Sequence, residues 1–323
     1  MQVKSVLAAL AVVLAAVPAV AQTKWDLPAA YPVNNFHSKN LAAFAEDAKK
    51  LSGGKLDITV HANASLFKAT EIKRAVQTGQ VQIGEVLMSN IENETAIFGL
   101  DTVPFLATSF AEAKKLYAAQ KPVVARKLDA QGMMLLYTVP WPPQGLFAAK
   151  EINAVEDLKG TKFRAYNPAT SRIAELVGAQ PVTIQAAELA QALATGVVTT
   201  FVTSASTGRD AKVWESLKYF YDVQSWLPKN MVFVGKDSLK KLDPATQKAL
   251  LDAAAAAETR GWEMATEETE AAKAALIKGG MQVLPPSPAL QSSLKKIGNT
   301  LAEEWLKKAG ADGEEAIKAY KAM

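Results

Sequence analysis

The chain has 323 residues, 49% of them hydrophobic, and 36 Lys or Arg against 32 Asp or Glu give a formal net charge of +4. This length supports two lobes with separate cores, and the scattered charges, without a basic stripe interleaved with aromatics, exclude an electrostatic nucleic-acid surface. The lack of any cysteine excludes disulfides, thiol catalysis, thiolate metal sites and a lipoprotein anchor.

Residues 1–21 read as a cleavable leader. Lys4 gives the positive start, Val6 to Val17 is an uncharged apolar run too short to span a membrane, and Ala19-Val20-Ala21 is a small-residue cleavage site. The mature chain then begins at Gln22 and carries one positive charge fewer. Lys55 to Val60 alternates apolar and polar residues after the Gly53-Gly54 turn, as a half-buried strand does. Ala69 to Thr78 is predicted helical, with Ile72, Ala75 and Val76 on one face and Gly79 closing it. Val81 to Met88 is the next strand, delivering Met88, Ser89 and Asn90 to its carboxyl end. Ala111 to Ala119 and Lys121 to Asp129 read as two helices, and Met133 to Val139 as a strand. The alternation predicts α/β lobes with mostly parallel sheets and a ligand beyond the strands' carboxyl ends.

Pro140-Trp141-Pro142-Pro143 places three prolines in four residues, which no helix accepts, and predicts a stiff crossover between lobes. Met231 to Val234 reads as a strand returning to the first lobe. Lobe I is therefore expected over residues 22–140 plus about 230–265, and lobe II over 141–229 plus about 266–323.

The most informative stretch is Lys162 to Gly208. Arg164 ends a short apolar strand, Asn167 suits a helix N-cap and Pro168 the first helical position. Free N–H groups and a partial positive charge at that helix start, beside a guanidinium, would suit a small carboxylate. The bland alternative is an Arg164 paired with a surface Asp or Glu, as most charged side chains are solvated. Further on, Asp243 and Pro244 open a helix that continues to Lys278, roughly 50 Å at ~1.5 Å per residue. Gly261 is its expected bending point; two shorter helices broken at Gly261-Trp262 are the alternative.

KFRAYNPATSRIAELVGAQPV followed by AELAQALATGVV resembles the signature region of the DctP-type substrate-binding proteins of TRAP transporters. GGKLDITVHANASLF, EIKRAVQTGQVQIG, DTVPFLATSFAEAKKL, INAVEDLKGTKFR and YFYDVQSWLPKNMVFVGKDSLKKLDPATQKAL fit the same pattern in the same order, from about Trp25 to Lys278. The resemblance implies a two-lobe periplasmic binding protein with a long helix spanning both lobes. It would float free in a Gram-negative periplasm as a monomer, without cofactor or resident metal. Its partners would be a small organic acid and the membrane permease subunits that receive it.

The resemblance also implies a site. Arg164 would clamp a carboxylate, with Asn167, Thr203 and Asn230 at other ligand-contacting positions, and Met88 and Ser89 closing from the first lobe. Two departures shape the expected ligand. Gln144 stands where many relatives carry a second arginine, which argues against a dicarboxylate. Ala186 replaces an aromatic residue and leaves space, which Trp141, Tyr166, Phe36 and Phe147 would wall. The expected ligand is a monocarboxylate with an aromatic or branched body bearing a hydroxy or oxo group. These aromatics could equally be ordinary core.

Catalysis is not expected. His37 and His61 are the only histidines, one in an N-terminal loop and one at a strand end, and no nucleophile elbow, zinc-protease helix or phosphate loop is present. Glu85 could offer one oxygen to a bridging cation, too little for a site. Two alternatives remain open at this level: a same-fold protein presenting a carboxylate or dicarboxylate to a sensor kinase, and, more distantly, a secreted hydrolase or lyase.

Overall fold

The computed structural model describes residues 22–323; the predicted leader lies outside them. The chain opens with β1 (Thr23–Pro28), α1 (Phe36–Leu51), β2 (Leu56–His61), α2 (Ile72–Gln77) and β3 (Ile83–Leu87). Next come α3 (Phe110–Asp129) and β4 (Met133–Pro140), which leads into the crossover. Beyond it lie β5 (Gln144–Ala148), β6 (Lys162–Ala165), α4 (Pro168–Leu176), β7 (Gln180–Thr183), α5 (Leu189–Ala194), β8 (Thr200–Ser204), α6 (Ala205–Asp210) and β9 (Tyr219–Tyr221). The chain ends with β10 (Lys229–Gly235), α7 (Lys236–Lys240), α8 (Pro244–Lys278), β11 (Gln282–Leu284) and α9 (Pro288–Lys321).

The fold is a two-lobe α/β architecture. One lobe carries the parallel β1–β2 pair and the three-stranded sheet β3-β10-β4; the other carries a six-stranded sheet in the order β11-β9-β5-β8-β6-β7. The sheets are mixed, where the sequence pattern predicts mostly parallel ones. β10 runs antiparallel to both β3 and β4, and β5 antiparallel to β8 and β9. Both are strands that enter a sheet from the other lobe, so they run against the strands built by local βαβ steps.

The two crossing segments lie side by side. The Trp141 N–H donates to Pro228 O at 2.8 Å and the Gln144 N–H to Trp226 O at 3.0 Å. The proline run thus keeps its available backbone donors satisfied while it passes between lobes.

Two helices differ in part from their sequence reading, and a third departs from the expected lobe division. α3 is one helix of 20 residues that continues through Pro122, opened by a capping box between Ser109 and Glu112. Pro122 removes one helical hydrogen bond, yet Leu116, Tyr117 and Gln120 before it and Val123, Val124 and Leu128 after it are all buried, so packing holds both halves on one axis. α8 forms over its predicted length, with Asp243 accepting from the Thr246 N–H at 3.0 Å. It passes through Gly261 without interruption, and a Cβ there would lie 2.3 Å from Val139 Cγ2. Gly261 therefore allows close approach to β4, and the helix is not broken there as the two-helix alternative would have it. α9 holds a break at Gly310, whose φ of 52° suits glycine. The expected division placed 266–323 in the second lobe, but Trp305 and Ala316 pack into the first lobe's apolar cluster with Ile97, Phe98 and Val124.

Candidate ligand-binding site

Arg164 is the third residue of β6, in register with Val182 on β7 and Phe201 on β8. A central position in the sheet buries it to 2% exposure. Its Nε donates to Ile184 O at 2.9 Å, and its guanidinium lies 5.2 Å from the Tyr166 ring centroid and 5.9 Å from that of Phe201. Nη1 is buried without a partner. Among the described residues no carboxylate pairs with it, which removes the surface-pair alternative. Burial pulls its pKa down to about 10, so it remains a cation at neutral pH.

An interlobe cavity with about 430 Å³ of unfilled space, partly open to solvent, faces this guanidinium. Six of the sequence-predicted residues line it: Trp141, Gln144, Arg164, Tyr166, Ala186 and Thr203. Arg164 is the only charged group among its lining residues. Gln144 is locked from within, its Nε2 donating to Pro142 O at 3.0 Å and its Oε1 accepting from the Tyr166 hydroxyl at 3.3 Å. Ala186 lines this cavity and also an adjoining one that opens past Asn35 and Asp210.

The other six lie behind the wall or in its frame, Phe147 being fully buried in the second lobe's core against Phe201 and Phe220. Met88 is fully buried in the apolar cluster with Ile91, Ile97 and Phe98, and Phe36 meets Trp141 edge to face with ring centroids 5.3 Å apart. Neither lines the cavity, because both point into cores. Asn167 caps α4, accepting from the Thr170 N–H at 2.9 Å, while its Nδ2 donates to Ser89 Oγ at 2.9 Å across the lobes. Thr170 Oγ1 accepts in turn from the Tyr166 and Asn167 N–H groups. The start of α4 is thus consumed by its own cap and by an interlobe bond, and it does not line the cavity as the helix-terminus argument expected. Asn230 bridges Trp141 Nε1 and Glu85 at 2.9 Å each. His37 lies in α1, not in a loop, and burial holds its imidazole well below its ordinary pKa, hence neutral.

Sequence reasoning missed Tyr31, Asn90, Gln185 and Thr207, all of which line the cavity. Asn90 had a usable signal. β3 ends at Leu87 and a short 3-10 turn over Met88–Ile91 follows, which buries Met88 in the core and brings Asn90 to the cavity. Asn90 Oδ1 is buried there without a partner. The cavity therefore holds two unsatisfied polar atoms: a cationic donor on Arg164 and a neutral acceptor on Asn90. A larger groove of about 1120 Å³ runs between residues 92–104 and α9, but its arginine, Arg172, is already bound to Glu304 at 2.8 Å.

Residues 29–308 match the family of bacterial extracellular solute-binding proteins, family 7 (DctP). The chain belongs to this family. The DctP chain is similar to DctP6, a Bordetella pertussis extracytoplasmic solute receptor binding pyroglutamic acid. The two are 55% identical with a TM-score of 0.92, over 93% of this chain and all of that one. A second Bordetella pertussis receptor binding the same acid, DctP7, is 44% identical, with a TM-score of 0.91, over 93% of this chain and 99% of that one. A TRAP solute-binding protein from a marine metagenome, specific for pyroglutamate and solved with the co-purified acid, is also 44% identical, with a TM-score of 0.92 over 94% and 100% of the two chains. The DctP protein is thus a TRAP-type solute receptor for small organic acids, a binding protein and not an enzyme. The family works in the periplasm alongside a membrane permease. Among the described residues, no helix is long and apolar enough to cross a membrane.

Proposed function

We propose that this receptor captures pyroglutamate, or a closely similar ring-bearing monocarboxylate, in the periplasm and delivers it to a TRAP permease. The observation that carries the reading is the pair of unsatisfied atoms in one cavity, Arg164 Nη1 and Asn90 Oδ1. A lactam acid offers the matching groups, a carboxylate to accept from arginine and a ring N–H to donate to the amide oxygen. With no second cation lining the cavity, a second carboxylate would be buried unpaired, at a cost of several kcal/mol. Tyr31, Trp141 and Tyr166 supply faces for a compact ring, and Thr203 and Thr207 supply hydroxyls for a ring oxo group. Binding of the pyroglutamate anion by three relatives at 44–55% identity supports the same class.

In this reading, Asn167–Ser89 and Asn35–Asp210 are bonds of the closed form, made when the lobes meet over the ligand. We assign residues 22–140 with 230–265 to the first lobe and 141–229 with 266–301 to the second, with the rest of α9 returning to the first. The leader ends at Ala21. Calorimetry with D- and L-pyroglutamate, proline, 2-oxoglutarate and succinate tests the assignment. Pyroglutamate should bind tightly and succinate weakly; tight succinate binding with no response to pyroglutamate would overturn it.

A further inference from the structure

Behind the cavity wall lies a second layer of polar groups. Glu85 on β3, opposite Val232 of β10, is 2% exposed. Its Oε1 accepts from Asn230 Nδ2 at 2.9 Å and lies 3.5 Å from His37 Nδ1, while Oε2 has no partner. Asn230 Oδ1 accepts from Trp141 Nε1 at 2.9 Å, and the Tyr31 hydroxyl faces the same amide. Trp141 and Tyr31 line the cavity with their rings 4.7 Å apart. One buried carboxylate therefore acts, through one amide, on two of the three aromatic rings that a ligand meets.

We propose that Glu85 is a positioning residue for ligand binding: it orients Asn230, Trp141 and Tyr31, and its protonation state sets the affinity for the anion held at Arg164. This rests on the anion-binding reading of that cavity. The surroundings leave Glu85 as the group that titrates. From α1, His37 is kept neutral by burial; from β4 and the loop after β1, burial pushes Tyr137 and Tyr31 up, so both stay neutral. Arg260 of α8 is held by Asn40 and Asp47. Arg164 acts on Tyr31 from the far side, and among the described residues no lysine or arginine pairs with Glu85. Burial raises the Glu85 carboxyl to about 7, opposed only by the Asn230 bond. When ionised, it adds a negative charge behind the anion's site in a region of low dielectric, and the ligand is repelled; when neutral, it does not.

The test is the affinity for pyroglutamate from pH 5.5 to 8.5, by calorimetry, for the wild type, Glu85→Gln and Glu92→Gln. The ligand's own carboxyl is ionised throughout this range. Glu92, which lines the groove against α9 and not this cavity, is also raised to about 7 by burial and serves as the control. The wild type and Glu92→Gln should lose about three- to tenfold in affinity as pH rises through 7, and Glu85→Gln should show no such slope. In the ligand-free protein, the Trp141 indole N–H resonance, assigned with Trp141→Phe, should titrate with the same midpoint and become static in Glu85→Gln. A flat wild-type profile with binding intact, or a slope surviving in Glu85→Gln, overturns the proposal. If pyroglutamate fails to bind at any pH, the lactam reading falls instead. The indole titration then still decides the role of Glu85: a static wild-type resonance overturns it.

Discussion

Two cations are buried at the junction of the lobes, and they are treated in opposite ways. Lys229, at the start of β10, is wholly inaccessible; its Nζ lies 3.3 Å from Asp101, whose carboxylate also accepts from the Lys229 N–H at 2.7 Å. Arg164 is almost as deeply buried, yet it meets one carbonyl, two ring faces and an open cavity. Both side chains bear the desolvation cost of a buried charge. Lys229 has its charge paired by Asp101 inside the fold, although its Nζ makes no hydrogen bond, and it belongs to the frame. Arg164 is left without a carboxylate, and in the proposed reading the compensation arrives with the ligand and is read as affinity.

The contrast breaks most visibly at Asp101. Asp101→Ala leaves Lys229 buried and unpaired and should destabilise the protein by about 3–5 kcal/mol in urea denaturation. Arg164→Ala should stay within about 1 kcal/mol of wild type in the same assay without ligand. Equal losses in both variants would erase the distinction. With pyroglutamate added, the order reverses: Arg164→Ala should weaken binding at least about 100-fold, the equivalent of one to two charge-assisted hydrogen bonds, and Arg164→Lys should recover only part of it. The third effect depends on pH. Because burial lifts the Glu85 carboxyl to about 7 in the fold, the folded state binds a proton that the unfolded state releases above its ordinary value near 4.5. Stability from this group is thus present at low pH and is lost as pH rises toward 7. Glu85→Gln should accordingly stabilise the protein by about 1–3 kcal/mol at pH 8 and by little at pH 4. The smallest effect belongs to Trp141→Phe, which removes the hydrogen bond to Asn230 and should cost about 1 kcal/mol of binding, some fivefold.

How much of this was legible follows from how local each feature is. Arg164, its short strand, the Asn167 cap and Pro168 lie within seven residues, and the structure forms each element where the sequence places it. α8 is equally readable because Asp243, Pro244 and a long run without breakers mark it. The proline run also announces its crossover. What escaped depends on partners far away in the chain. Tyr31 and Asn90 reach the cavity only because β1 and β3 are packed side by side in the first lobe, and no local spacing encodes that. Pro122 argued for a broken helix, and only the burial on both of its sides overrode the local rule. The antiparallel course of β10 and β5 reflects entry from the opposite lobe, which hydrophobic periodicity does not report.

The paired crossing segments have a mechanical consequence. Trp141 and Gln144 on one strand and Pro228 on the other belong both to the hinge and to the cavity wall. A ligand there rests near the axis of rotation, where the lever arm is shortest. In the closing motion proposed above, its neighbours on the hinge would move little, while Asn35 and Asp210, joined across the lobes, would travel further. In that motion, small shifts at the bound molecule would be geared up into larger travel at the outer faces. Capture and signalling of capture are thus the near and far ends of one lever.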